Sequence, residues 1–251
     1  MKGDLMDGVM HSPVSLATAP ASATGARGPR RPSRPRRQVR PQPVYTVGEE
    51  VANSVTHGIG CLLAIAALVL LVVRAAGSAQ PFALASAIVY GCSLILEYLM
   101  STLYHAIPPS AGKRFFRTCD HSCIFILIAG SYTPFLLGPL RDHGGVWMMG
   151  LVWGIALVGI GLAVFMRDRR PGWLQPALCA ALGWIVIFRL PTLVIELDPA
   201  CLALLVAGGL AYSVGIAFYA ATRVRYMHSV WHLWVMAGSV CHFLAVYLFL
   251  L

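Results

Sequence analysis

Seven long apolar stretches follow one another along the chain, from residue 55 almost to its end. They cover residues 55–73, 83–105, 121–140, 146–166, 174–195, 200–221 and 229–250. A helix needs about 20 residues to cross the hydrocarbon core of a bilayer, and each stretch is close to that length. The regular apolar–polar alternation of a transmembrane β-barrel is not seen in them. The pattern predicts an all-α membrane protein, a seven-transmembrane helix bundle.

The N-terminal part of the chain has a different character. Residues 1–44 are mostly polar, prolines and arginines are interleaved from Arg27 to Arg40, and no apolar periodicity runs through them. Such a composition cannot bury enough apolar surface to fold. We therefore predict a disordered, cytoplasmic, Arg/Pro-rich tail over residues 1–44 and a membrane domain over residues 45–251. The tail either attaches to anionic lipid headgroups or is a solvated segment whose charge only orients the chain.

The composition supports a lipid environment and argues against a soluble protein. Of the 251 residues, 58% are hydrophobic and only 12% are charged, whereas a soluble protein has about 25% charged residues. The net charge of +9 would suit a nucleic-acid-binding protein. Its basic residues, however, lie in the tail and in short gaps between apolar stretches. This location predicts membrane lipids, and not nucleic acid, as partners.

The same basic residues predict the orientation in the membrane. Eight Lys and Arg lie in the tail, and eight more lie in the gaps after the second, fourth and sixth stretches: Lys113, Arg114, Arg117, Arg167, Arg169, Arg170, Arg223 and Arg225. The other gaps hold only Arg74 and Arg141. Cytoplasmic loops are enriched in Lys and Arg. We therefore expect a cytoplasmic N-terminus and a C-terminus on the outside.

This orientation brings three chemically interesting stretches to one edge of the membrane. His105 ends the second stretch, while His228 and His232 lie at the start of the last one and are four residues apart. Residues at that spacing share one face of a helix. Three imidazoles that leave a fourth position open are a known ligand set of catalytic zinc. The sequence predicts a Zn²⁺ site held by His105, His228 and His232.

Two further residues at this edge have a predicted catalytic role. Asp120 stands at the mouth of the third stretch, where its carboxylate could hold a metal-bound water and take its proton. Ser101 precedes His105 by four residues. Its hydroxyl could donate a hydrogen bond to a group that contacts the metal. Alternatively, it could donate to the oxygen on which negative charge develops during the reaction.

Other polar residues inside the stretches leave alternatives open. His57 is either a polar wall of the same cavity or a capping or packing residue. Glu97 lies eight residues before His105 on the same face, at an expected depth of about 12 Å below the metal level. It is either a proton relay or substrate contact, or a protonated acid bonded to a neighbouring helix.

Four segments together resemble a known family. They are Gly48–Gly60, Ser101–His105, Asp120–Pro134 and His228–His242, and they extend over the whole membrane part. They are similar to the hemolysin III family, the bacterial branch of the progestin and adipoQ receptor superfamily, which includes the adiponectin receptors. The tail has no counterpart in that pattern, and Cys119 and Cys123 stand where the family has apolar or small residues.

The resemblance implies a fold, a metal and two different activities. It implies seven helices with a cytoplasmic N-terminus in a bacterial plasma membrane. It also implies zinc near the inner face, held by His105, His228 and His232, with Asp120 reaching it through water and Ser101 beside it. The receptor branch is associated with ceramidase-type lipid amide hydrolysis. The bacterial branch is named for haemolysis and is linked to membrane lipid homeostasis.

Three hypotheses of function follow from these observations. The first is an enzyme that hydrolyses an amide or ester bond in a membrane lipid. The second is a pore-forming, cytolytic protein in which zinc only ties helices together. The third is a lipid or metal sensor that signals through the tail.

Overall fold

The computed structural model of the protein describes residues 45–166 and 171–251. The predicted tail, residues 1–44, lies outside the described residues, as do the loop arginines at 167, 169 and 170. The tail's disorder and its attachment to anionic lipids therefore stay predictions.

The described chain forms eight α-helices and two short 3₁₀ segments. The α-helices are α1 (Val47–Ala76), α2 (Ala83–Ala106), α3 (Ala111–Leu137), α4 (Gly145–Met166), α5 (Leu174–Trp184), α6 (Leu190–Glu196), α7 (Pro199–Ala220) and α8 (Met227–Phe249). The 3₁₀ segments are Arg141–His143 and Ile185–Arg189. Seven segments are long and apolar enough to cross a membrane, and α5, the second 3₁₀ segment and α6 together make the fifth. The predicted all-α, seven-span, multi-pass membrane fold is confirmed, and the orientation of its termini stays a prediction.

Two helices begin earlier than the apolar pattern indicated. Helix α1 begins at Val47, where Thr46 and Glu49 form a capping box, and α3 begins at Ala111 after the cap Ser110. Both first turns are polar, because caps and helix starts favour hydrogen-bonding residues, so a search for apolar residues does not see them. In consequence Asp120, which directly precedes the third apolar stretch, lies within α3 and not before its first turn.

The fifth span is a broken helix. Between α5 and α6 the Tyr132 hydroxyl accepts a hydrogen bond from the Val186 N–H at 3.0 Å and approaches the Gly183 carbonyl at 2.6 Å. A side chain from α3 thus satisfies backbone groups that an uninterrupted helix would pair internally. The prediction of one continuous span over residues 174–195 was right in extent and missed this break.

The helices pack in a closed arrangement around a small apolar core. Helix α2 lies between α1 and α3, α3 also packs on α4, α7 packs on α8, and α8 returns to α1. Leu71, Tyr90, Phe125 and Leu136 are among the fully buried side chains. Large apolar side chains on the outer surface, such as Phe165 at 84% exposure, suit contact with lipid.

The contact of α8 with α1 closes one end of the bundle. We call this the histidine end: the end at which α1, α3 and α8 begin and α2 finishes. It contains the first two turns of α1 and the last turn of α2.

Candidate metal centre

Three imidazole rings converge at the histidine end. His105 comes from the last turn of α2, and His228 and His232 come from the first two turns of α8. One ring nitrogen from each residue lies within 4.8 Å of those of the other two. His105 and His232 are buried, and His228 is half-buried. The structure brings together the three histidines that the sequence singled out.

The start of α8 is held by a contact with α1. Tyr226, directly before α8, has a positive φ of 62°, which an L-residue with a bulky side chain seldom adopts. Its backbone N–H donates to the Glu49 carboxylate at 3.1 Å. Glu49 also closes the capping box of α1 with Thr46. The Glu49 carboxylate therefore connects the first turn of α1 to Tyr226, which lies just before His228 in the chain.

Helix α1 also reaches His105 directly. The Glu50 carboxylate lies 2.7 Å from His105 Nδ1, and its other oxygen lies 2.8 Å from the Lys113 ammonium. The other ring nitrogen, His105 Nε2, is buried and has no hydrogen-bond partner among the described residues. The imidazole thus has one nitrogen engaged by α1 and one left for a group that faces the cluster.

A second set of contacts joins α1 to α8. His232 Nδ1 lies 3.2 Å from the backbone carbonyl of Asn53 and 3.0 Å from the Thr56 hydroxyl. The Ser229 hydroxyl donates to the Asn53 side-chain oxygen at 2.5 Å. Because a backbone carbonyl can only accept, Nδ1 of His232 carries the hydrogen and its Nε2 keeps a lone pair.

This role of α1 was not predicted from the sequence. Glu50, Asn53 and Thr56 follow at intervals of three residues, so they lie near one another on the helix surface. That spacing was a usable signal. It was missed because Glu50 and Asn53 lie before residue 55, where the first span was expected to start.

The predicted catalytic pair lies between α2 and α3. Ser101 is one turn before His105 on α2, and its hydroxyl hydrogen-bonds the Asp120 carboxylate. Asp120 interacts electrostatically with His105 but does not belong to the close set of the three imidazoles. The assignment of Asp120 as a base stays a prediction.

Glu97 continues the polar face of α2 towards the bundle interior. It lies one turn beyond Ser101, is buried, and has one carboxylate oxygen without a hydrogen-bond partner among the described residues. It also interacts electrostatically with Asp120. Glu97, Ser101 and His105 therefore form one polar stripe, and the choice between the two predicted roles of Glu97 stays open.

His57 lies against the cluster without being part of the close set. Its ring stacks on His232 with a centroid distance of 3.5 Å and an interplanar angle of 17°, and it meets Tyr98 edge-on. Neither of its ring nitrogens has a hydrogen-bond partner among the described residues. These contacts suit both predicted alternatives, a polar wall of the site and a packing residue, so the choice between them stays open.

Tyrosines surround the cluster at the histidine end. The ring centroid of Tyr45 lies 5.1 Å from that of His228 and 5.7 Å from that of His105. Tyr104 packs on His105, and Tyr219 packs on His228. Burial, aided by the neighbouring Tyr104 and Tyr219, raises the pKa of Tyr45 well above its ordinary value. Its hydroxyl therefore stays neutral beside the site.

The donor set fits a divalent cation. Buried imidazole nitrogens that face one another without a hydrogen donor between them are unfavourable, and a cation removes that penalty. Neutral imidazoles are ligands that zinc accepts readily. Cys119 and Cys123, which flank Asp120, do not join the close set among the described residues. Their thiols are thus not among the candidate ligands.

Known proteins are similar to this chain over most of its length. The family model described as "Haemolysin-III related" matches residues 45–243. The chain is 40% identical to "Hemolysin-3 homolog" of Bacillus subtilis over 203 residues, which cover 81% of this chain and 95% of that protein. It is 39% identical to "Hemolysin-3" of Bacillus cereus over 206 residues, which cover 82% of this chain and 93% of that protein.

A more distant match extends to animals. The chain is 27% identical to the human "Monocyte to macrophage differentiation factor" over 174 residues, which cover 64% of this chain and 69% of that protein. No solved structure gave a significant match. The matched region begins at Tyr45 and includes the whole histidine cluster with its α1 contacts. With the family model matching well over half of its length, the chain belongs to the haemolysin-III-related family of membrane proteins.

Proposed function

We propose that this protein is a zinc-dependent hydrolase that cleaves an amide or ester bond in a membrane lipid. The observation that carries the proposal is the close set of His105, His228 and His232 next to a hydrogen-bonded serine and carboxylate. Ionisable residues at membrane depth are costly and mark functional sites. Here they gather in a bundle whose outer surface is open to lipid.

The three histidines would hold the metal through one nitrogen each. Bound zinc supplies a Lewis acid that polarises a carbonyl oxygen and makes water more acidic. For His232 that nitrogen is Nε2, because Nδ1 donates to the Asn53 carbonyl. The unpartnered Nε2 of His105 supports the same use.

Asp120 would act as the general base. Its carboxylate accepts the proton of the attacking water and later passes it to the leaving amine or alcohol. Ser101 donates to this carboxylate and so holds its orientation. Of the two roles considered for Ser101, this hydrogen bond favours the support of Asp120 over a contact with the oxyanion.

Tyr45, Tyr104 and Tyr219 would limit the access of water from the histidine end. Their rings pack on the imidazoles, and an aromatic cover excludes bulk water and strengthens the electrostatic interactions inside the site. A lipid substrate would then enter from the membrane side.

The test uses the full chain in vesicles that contain either a ceramide or a diacylglycerol. Released fatty acid is measured by mass spectrometry, and bound zinc is measured on the same sample. Asp120→Ala should abolish release while zinc content falls little. Asp142→Ala, at the other end of the bundle, is the matched control and should leave both unchanged. Fatty-acid release by Asp120→Ala at the wild-type rate would contradict the proposed role.

The second candidate is cytolysis, which rests on the name of the relatives "Hemolysin-3" and "Hemolysin-3 homolog". Side chains such as Tyr90 and Phe125 fill the interior, which argues against an open pore in this arrangement. Cytolysis would be favoured over hydrolysis by two results together. Asp120→Ala would still cause dye to leak from the vesicles, and the wild type would release no fatty acid.

A further inference from the structure

We propose that Glu50 is a positioning residue of the metal centre. Its carboxylate holds His105 in the tautomer that has hydrogen on Nδ1, and so leaves the Nε2 lone pair for the metal. This inference rests on the proposed zinc site. It adds a residue of α1 to a site whose predicted members lie on α2, α3 and α8.

The Glu50 carboxylate makes a short contact with the His105 ring. Glu50 Oε2 lies 2.7 Å from His105 Nδ1, a distance typical of a charge-assisted hydrogen bond. An ionised carboxylate has only acceptor atoms. His105 Nδ1 must therefore be the donor, and the neutral ring must have its lone pair on Nε2.

The Glu50 carboxylate is also paired with a lysine. Its other oxygen, Oε1, lies 2.8 Å from Lys113 Nζ. The same ammonium donates to the backbone carbonyls of Tyr104 and Ile107 at 2.9 Å and 3.1 Å. Lys113 thus spans the end of α2 and keeps a positive charge beside Glu50, which favours the ionised carboxylate.

A competing contact to His105 is weaker. The Asn53 amide nitrogen lies 3.4 Å from His105 Nδ1, and as a donor it would require the opposite tautomer. That distance is at the limit for an N–H···N hydrogen bond, and the partner is uncharged. The short contact with the carboxylate therefore decides the tautomer.

The consequence appears at the other nitrogen. His105 Nε2 is buried and has no hydrogen-bond partner among the described residues. With the hydrogen on Nδ1, this Nε2 is an acceptor without a donor, which is the state that a metal ligand needs. Carboxylates that hold a ligating histidine in this way also raise its basicity.

His232 is oriented by the same helix but through a group that mutation cannot remove. Its Nδ1 faces the backbone carbonyl of Asn53, which every substitution at that position retains. Glu50, by contrast, contacts His105 through its side chain, so a single substitution removes this contact.

The experiment compares Glu50→Gln with Glu196→Gln in the purified full chain. Glu196 also contacts an imidazole, that of His143, but His143 is not one of the three clustered histidines, so Glu196→Gln is the matched control. Zinc affinity is measured by competition with a chelator. Glu50→Gln should weaken zinc binding by about 10- to 100-fold, the usual effect of losing such a partner. Glu196→Gln should retain the wild-type affinity.

A second measurement needs no metal. In zinc-free protein labelled with ¹⁵N-histidine, the His105 signals should show hydrogen on Nδ1 and a bare Nε2, and Glu50→Gln should move them towards the other tautomer. If Glu50 only tied α1 to α2, Glu50→Gln would lower the thermal stability without changing the tautomer of His105.

The outcomes separate this inference from the proposed function. Wild-type protein that binds no zinc overturns the zinc site, whatever the tautomer. Zinc-binding wild type with equal affinity in Glu50→Gln overturns the role of Glu50 and leaves the site standing. Hydrogen on Nε2 of His105 in the wild type also overturns the role of Glu50.

Discussion

The buried polar side chains are divided very unequally between two parts of the bundle. Within residues 45–166 and 171–251, all but one lie on α1, α2, α3 and α8, which we call the polar part, and the exception is Gln175 on α5. Helices α4 to α7, the apolar part, bury mainly small residues such as Ala156, Gly159, Cys201 and Gly215. Gln175 itself donates to the His121 carbonyl of α3. The buried polar groups are therefore concentrated on four helices, where many of them reach a polar partner.

This difference teaches which part carries the chemistry. Small residues let helices approach closely and stabilise a membrane bundle by packing. Buried histidines and carboxylates do not serve packing, because each is unfavourable in a membrane unless it is partnered. We therefore expect changes in the polar part to alter metal binding, and changes in the apolar part to alter stability alone.

The largest effect is expected for His232→Ala in the polar part. It removes a proposed ligand outright, so zinc affinity should fall by more than the about 100-fold upper limit for an outer-shell partner. His242→Gln on the same helix is the control, since a glutamine amide can replace the imidazole near the Leu205 carbonyl. Metal content of the purified proteins checks this, and His232→Ala with the full zinc content would show that the cluster is not a metal site.

A moderate effect is expected in the apolar part for Gly159→Ala. A Cβ at Gly159 would come within 2.5 Å of the Phe125 ring, whereas one at Gly154 on the same helix would meet nothing within 4 Å. Gly159→Ala should lower the free energy of unfolding by about 1–3 kcal/mol through overpacking. Gly154→Ala should be neutral or stabilising by up to about 1 kcal/mol. Unfolding in detergent measures both, and a changed zinc affinity in either variant would break the division between the two parts.

A smaller effect of opposite sign is expected for His57→Phe. Phenylalanine keeps a flat ring against His232 and removes two buried nitrogens that lack partners among the described residues. Relief of unsatisfied polar groups should raise the free energy of unfolding by about 1–3 kcal/mol, less the strain of the larger ring. The melting temperature of the zinc-free protein is the measurement. A lower melting temperature would mean that His57 has a polar partner in the native membrane.

The smallest effect is expected for Thr56→Val. His232 Nδ1 loses the Thr56 hydroxyl but keeps the Asn53 carbonyl. One neutral hydrogen bond contributes about 0.5–1.5 kcal/mol, so zinc affinity should fall by about 10-fold or less. The chelator competition used for Glu50→Gln also serves here. If Thr56→Val lost more zinc affinity than Glu50→Gln, Thr56 and not Glu50 would be the more important α1 contact of the histidines.

The sequence was sufficient for the seven spans, because hydropathy is local and adds up along each stretch. It also sufficed for proposing His105, His228 and His232 together, because the apolar spans and the loop charges put them at one predicted edge. Residues four apart on a helix share a face regardless of the rest of the fold, so the α8 pair needed no tertiary information.

Only the tertiary structure decided which partners these histidines have. Whether Glu50 contacts His105 depends on how α1 is rotated and how deep it lies against α2. The spacing of Glu50, Asn53 and Thr56 indicates a shared polar surface of α1 but does not specify which histidine each side chain contacts. The same holds for the break in the fifth span, which depends on Tyr132 of another helix. Local preference determined the helices, whereas contacts between distant parts of the chain determined where each polar atom finds its counterpart.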